Sequence, residues 1–163
     1  MVFALHPLSY DHPDAQALTE RAQAYYVEVY GGRDDDPLTA AEFAEPQGGF
    51  VVGYLDGAAV AMGGWTFTAD DRGDRVAKIR RMYVDAAVRR HGLARKVLGH
   101  LETEAARHGA TMIILATGQP QVEAIGFYRS HGYLDVTPFG FYAGSDQVVC
   151  LGKRLTSDRQ PTS

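Results

Sequence analysis

Arg89-Arg90-His91-Gly92-Leu93-Ala94 sets a basic glycine turn between an apolar strand and an amphipathic helix. Upstream, Lys78-Ile79-Arg80-Arg81-Met82-Tyr83-Val84 carries β-branched and bulky apolar side chains without a helical repeat, so it reads as a strand. Downstream the period changes. Leu93, Ala94, Val97, Leu98, Leu101 and Ala105 recur at three- and four-residue steps, the buried stripe of a helix, and Arg95, Lys96, Glu102, Glu104 and Arg107 are expected to face water. The turn therefore sits at a helix N-terminus, where backbone N–H groups lack intrahelical partners and the macrodipole adds roughly half a positive charge. Such an end binds phosphate oxygens. Gly92 and Ala94 are small enough to let a phosphate approach the backbone, and Arg89 and Arg90 add positive charge beside it. A glycine turn alone is equally an ordinary strand-to-helix connection, so its neighbours decide.

Those neighbours form a pattern. Arg-x-x-Gly-x-Ala, following Met-Tyr-Val and preceding a helix, resembles the signature of the GNAT superfamily of N-acetyltransferases, whose loop holds the pyrophosphate of coenzyme A. After the helix, Thr111 to Thr117 reads as the next strand, and Gln119 to His131 as a further helix. In that helix Gln121, Ala124, Phe127 and Tyr128 match the family's Asn/Gln-x-x-Ala-x-x-Phe-Tyr pattern, and Gly132-Tyr133 closes it as in the family. The resemblance is strong over about residues 76 to 154 and extends to residues 1 to 75 only in layout. Within the superfamily, Leu115-Ala116-Thr117-Gly118 through Phe139-Gly140-Phe141-Tyr142 is similar to a group of small acetyltransferases that often carry Leu-Glu-Thr-Gly there.

Composition sets bounds around this reading. A chain of 163 residues, 45% hydrophobic and 22% charged, fits one soluble globular domain, expected over residues 1–155 with a fraying tail at 156–163. A formal charge of −4 argues against a general nucleic-acid or membrane surface, although a ligand-sized basic patch survives around residues 78 to 96. The apolar run Met1 to Leu5 before Pro7 is too short for a signal segment, no stretch reaches the length of a membrane span, and a cytoplasmic location is expected. Cys150, the single cysteine, lies in Val148-Val149-Cys150-Leu151 and reads as a packed core thiol rather than a catalytic one.

Along the chain, Ala15, Leu18, Ala22, Tyr25, Tyr26 and Val29 mark a helix over Asp14 to Tyr30, ended by Gly31-Gly32. The polar segment Arg33 to Pro37 separates it from a short second helix, expected from near Thr39 to before Pro46. Gly49 to Leu55 and Ala58 to Thr68, joined by Asp56-Gly57, read as a hairpin, and Gln147 to Leu155 as a last strand. The result is an α+β chain built on a mixed sheet. The resemblance implies a mostly antiparallel sheet of about seven strands with about four helices, splayed between the strands ending at Val84 and Thr117, where the cofactor lies.

The resemblance also assigns roles. Arg89, Arg90, His91, Gly92, Leu93 and Ala94 would hold the pyrophosphate; backbone groups of Met82, Tyr83 and Val84 would pair with the pantetheine arm and polarise the thioester carbonyl; Thr117, Gln121 and Ala124 would line the same cleft. Tyr128 matches the position whose phenol donates a proton to the departing thiolate, phenol and thiol differing by about 1.5 pKa units in water. The implied co-substrate is acetyl-CoA, with no metal, and the implied acceptor is a small-molecule amine; a homodimer is left open.

The general base is where this chain departs from its relatives. Many carry glutamate where Lys78 stands, and often at Ala116 as well. Three readings stay open: another carboxylate or Tyr83 acts through water, Lys78 is deprotonated by burial, or the acceptor arrives neutral. Asp34-Asp35-Asp36 could attract a cationic amine or be a solvated loop, and Trp65, Phe67, Tyr25, Tyr26 and Phe139 to Tyr142 could line a pocket or fill the core. The six histidines have no His-x-x-x-His companion, and neither a Gly-x-Ser-x-Gly elbow nor a nucleotide-triphosphate loop is present. The missing glutamate also keeps a non-catalytic acyl-CoA-binding sensor as the alternative to an N-acetyltransferase.

Overall fold

The computed structural model describes residues 2–32, 38–68, 75–89, 91–118, 120–137 and 147–155. The tail, the acidic run Asp34 to Asp36, Arg90 and the segment Phe139 to Tyr142 lie outside them.

Strand β1 (Phe3–Pro7) leads into helix α1 (Pro13–Tyr30) and a 3-10 turn at Ala40–Phe43. The hairpin β2 (Gly48–Leu55) and β3 (Ala58–Phe67) follows, then β4 (Val76–Val84) and a second 3-10 turn at Ala86–Val88. Helix α2 (Leu93–Arg107), β5 (Met112–Gly118), α3 (Val122–Ser130), the two-residue β6 (Leu134–Asp135) and β7 (Val148–Arg154) complete the order. The sheet runs β1-β2-β3-β4-β5-β7-β6, and only β4 with β5 is parallel. Asp56 and Gly57 both take positive φ, 51° and 88°, the turn whose twist matches that of its flanking strands.

Alternation along the strands sorts the core onto two faces. On one, Val51, Ala61, Trp65, Ala77, Ile79, Ile113 and Leu151 meet the α2 stripe of Leu93, Val97, Leu98, Leu101 and Ala105, together with Tyr128 and Tyr133. On the other, Phe50, Val52 and Met62 meet Ala15, Leu18 and Ala22 of α1, with Tyr10 and Phe43. Cys150 is buried with Val76 and Ile114 in a third, apolar cluster, as expected of a core thiol.

Three expectations need correction. The second helix is only a four-residue 3-10 turn, so the described residues hold three α-helices rather than about four. The segment is closed at both ends: the Thr39 N–H donates to Glu42 Oε2 at 2.9 Å, and Pro46 disfavours a helical conformation at the residue before it. Glu102 does not face water. It accepts the Tyr133 hydroxyl at 2.7 Å and lies 3.3 Å from Lys153 Nζ, tying α2 to the end of α3 and to β7. Tyr133 is fully buried, and burial first, then the Glu102 carboxylate, pushes its phenol far above the ordinary tyrosine value. Helix α3 itself starts at Val122, after Pro120, rather than at Gln119.

Gly64 lets the turn at Ala40–Phe43 reach the sheet. A Cβ there would stand 2.5 Å from Phe43 Cε1 and 2.7 Å from Phe50 Cδ1, both buried rings. Gly64→Ala is expected to cost about 1–3 kcal/mol through overpacking, read as a fall in Tm by calorimetry. An unchanged Tm would mean that the turn can withdraw freely from the sheet.

Candidate active site

β4 and β5 pair through Val76 with Met112, Ala77 with Ile113 and Lys78 with Ile114, and then part. Beyond that point β5 continues against β7 as far as Gly118 with Val148, while β4 continues against β3 as far as Val84 with Ala61. The backbone edges of residues 79–84 and 115–118 therefore border a wedge rather than each other. This is the splay expected between the strands ending at Val84 and Thr117, and Lys78 sits at its root.

β4 is also kinked. Met62 pairs with Tyr83 and Gly64 with Arg80, which leaves Arg81 and Met82 opposite the single Gly63. This bulge holds Arg81 at φ +57, a left-handed conformation that costs a non-glycine residue about 1–2 kcal/mol. Nothing in the Lys78 to Val84 sequence signals it, since no glycine or asparagine marks the position; the paired glycines Gly63-Gly64 on the neighbouring strand are the nearest clue. Met82 and Val84 then pack toward α2, and Tyr83 toward α1.

The turn after β4 closes on itself before α2 begins. Asp85 N–H donates to Val60 O at 2.8 Å, and Arg89 Nε donates to Val84 O at 2.9 Å while its guanidinium lies 5.2 Å from the Tyr25 ring and 5.9 Å from the Tyr83 ring. Arg89 thus spends part of its fork on the end of β4. His91 is exposed, and Leu93 is buried in the core, so only its backbone is placed to meet a ligand. Gly92 is the N-cap of α2 at φ +77, and among the described residues no side chain caps that end. Among the described residues, a Cβ added at Gly92 would find only Arg95 Nη2, at 3.7 Å, so they leave the space over the helix start open.

The far side of the wedge is aromatic. Tyr128, from α3, is buried among Phe127 and Tyr133 on the α2 side, and its phenol is raised well above the ordinary value, by burial first and then by Tyr26. Tyr26 belongs to α1 and packs on the opposite face. The two phenols thus lie on opposite faces of the sheet. Gln121, on the edge of α3, donates its amide to Tyr30 Oη at 2.7 Å, and Tyr30 covers Gly118 so closely that no side chain fits there. Thr117 is half-buried on β5 beside that contact, Ala124 is half-buried against the α2-side core, and Ala116 is exposed.

Of the candidates for the base, Tyr83 is half-buried, and its phenol is raised by burial and then by its hydrogen bond to Asp85. That shift holds the proton on and weakens the case for Tyr83. Asp85 is itself engaged by Arg21 Nη1 at 2.6 Å. Trp65 is core, 1% exposed, while Phe67, Tyr25 and Tyr26 are half-buried. No group of His, Cys, Asp and Glu among the described residues is arranged to hold a metal ion. A separate hollow of ≈ 350 Å³ between Tyr10, Phe43, Trp65 and His100 touches none of β4, β5 or α3.

Residues 15–133 match the family model described as Acetyltransferase (GNAT) family. The chain is 30% identical over 138 residues to an IAA acetyltransferase of Azospirillum brasilense, spanning 85% of this chain and 88% of the relative. Among solved structures, a Klebsiella pneumoniae acyl-CoA N-acyltransferase candidate superposes with a TM-score of 0.78 at 22% identity, over 95% of this chain and 99% of that one. The PaiA N-acetyltransferase of Thermoplasma acidophilum, solved with coenzyme A, superposes with a TM-score of 0.71 at 13% identity, over 95% and 100%. These two share the fold. The family match across most of the chain, on the parted strands and glycine-capped helix described above, makes this protein an acyltransferase of the GNAT acetyltransferase family.

Proposed function

We propose that the protein transfers an acetyl group from acetyl-CoA to the primary amine of a small molecule, by direct attack within a ternary complex. The observation that carries this reading is the wedge between β4 and β5, with the buried phenol of Tyr128 and the open helix start at Gly92 at its borders. A thioester supplies an activated acyl group when bound; the chain's residues must orient it, polarise its carbonyl and provide a proton.

The residues fit those tasks. The left-handed Gly92 and the uncapped first turn of α2 leave N–H donors and open space for a pyrophosphate. The β4 edge beyond Lys78 offers main-chain groups for an extended arm to pair with, in the manner of an added strand, and the bulge at Arg81 and Met82 turns those groups out of the regular ladder. A backbone N–H there is suited to stabilise charge developing on a carbonyl oxygen. Tyr128 keeps its proton through neutral pH, as a donor must, while burial also makes its phenol a weaker acid than free tyrosine.

Tyr128→Phe is expected to lower kcat by about 10²-fold while leaving the Kd for acetyl-CoA nearly unchanged. Because the phenol is raised above the ordinary value of about 10, the parent should show no alkaline loss of kcat assignable to Tyr128 below that pH. Equal kcat in mutant and parent would remove Tyr128 from the chemistry. Gly92→Glu places a carboxylate in a left-handed N-cap where an anion would bind, and should weaken acetyl-CoA at least about tenfold by calorimetry; a folded variant with the parental Kd would refute the cradle. Thiol release measured across amino acids, amino sugars, polyamines and arylamines tests the transfer itself. Binding of acetyl-CoA without release to any amine would point to a sensor.

A further inference from the structure

We propose that the acceptor amine carries a carboxylate, and that Arg80 and Arg81 hold it on the α1 face of the wedge. The proposal rests on the acetyl-transfer reading and names its substrate class.

In a regular strand, neighbouring side chains point to opposite faces. Val76 packs on the face away from α2, with Ile114 and Cys150, and Ile79 packs toward α2, so Lys78 and Arg80 share the face of Val76. Arg80 confirms this: its Nη1 lies 3.6 Å from Glu42 Oε1 and 3.5 Å from Thr66 Oγ1, and Glu42 belongs to the 3-10 turn on the α1 side. Alternation would return Arg81 to the α2 face. Instead its Nε donates to Tyr10 Oη at 3.4 Å, and Tyr10 packs with Phe43 and Phe50 in the α1-side core. Met82 then takes the α2 face and Tyr83 the α1 face. The bulge therefore puts two guanidiniums, adjacent in sequence, on one face of the sheet, with Lys78 on the same face near the point where β4 leaves β5.

The conformation of Arg81 is informative in its own right. Glycine or asparagine would adopt φ +57 at lower cost, and strain of this kind is kept where the side chain is used. Glu42 and Tyr10 position the two forks from the 3-10 turn and the β1–α1 connection, and a carboxylate from the acceptor would join or displace those contacts. A guanidinium presents five donors in a plane and pairs with a carboxylate through two parallel bonds. A polycationic acceptor would meet like charge from Lys78, Arg80 and Arg81.

The test uses dead-end product complexes, so that it does not depend on turnover. N-acetyl amino acids and their C-terminal amides are titrated by calorimetry into the full chain saturated with coenzyme A, for the parent, Arg80→Gln, Arg81→Gln and Arg81→Asn. Asparagine tolerates the left-handed conformation and so guards against misfolding. The parent should bind the acids at least about tenfold more tightly than the amides, as expected for charge-assisted bonds, and each variant should lose most of that preference while still binding coenzyme A. Equal binding of acid and amide, no binding of any acetylated amino acid to the coenzyme complex, or a preference retained in Arg81→Asn would overturn this proposal alone. Failure of coenzyme A itself to bind the parent would overturn the transfer reading, and the proposal with it.

Discussion

The early parting of β4 from β5 is the constraint on which the rest of the molecule depends. A parallel pair that continued beyond Lys78 and Ile114 would satisfy its own backbone and leave no edge for a ligand. It stops where β4 turns away from β5. β5 is bound along its whole length to β7, and β4 is bound to β3 through a bulge that bends it. The wedge lies between these two pairings, and the side chains beneath it, Ile79, Leu115 and Tyr128, close it from the α2 side.

Such an opening has to be braced, since unpaired strand edges and buried polar groups are both unfavourable. The bracing is polar and lies at the corners. Arg89 bonds the last carbonyl of β4, and Asp85, anchored on Val60, accepts Arg21 from α1. Across the wedge, Glu102 gathers the hydroxyl of Tyr133 and the ammonium of Lys153, which fixes the residue following α3 to both α2 and β7. Tyr128 lies one turn before Tyr133 and packs on it, so its placement depends on a carboxylate in another helix. On the opposite face, Tyr30 and Gln121 link the end of α1 to the start of α3. Apart from the Arg89 bond, which lies within the glycine turn, these contacts join elements far apart in the chain.

The departures from the sequence reading share a physical origin. Glu102 was placed in water because a glutamate on the polar side of a helical stripe usually is; its burial follows from a tyrosine 31 residues away that needs an acceptor. The helix expected before Pro46 becomes a 3-10 turn because the short run between the Thr39 cap and Pro46 cannot propagate a helix. The bulge at Arg81 is silent in its own strand, being set by register against Gly63 and Gly64. Arg89, read as a phosphate ligand, also proves to be a clamp on β4.

What the sequence by itself determined is local and periodic: the strand-to-helix turn at Gly92, the α2 stripe, the Asp56-Gly57 hairpin, the first helix and its glycine stop, and the motif around Tyr128. These are legible because hydrophobic period, turn chemistry and capping act over a few residues. The tertiary structure alone decided where β4 and β5 part, that Arg80 and Arg81 share a face, which side of the sheet holds Tyr128 and which Tyr26, and where Glu102 finds its partners. Each of these depends on register and on contacts between residues distant in sequence, which local propensity does not encode.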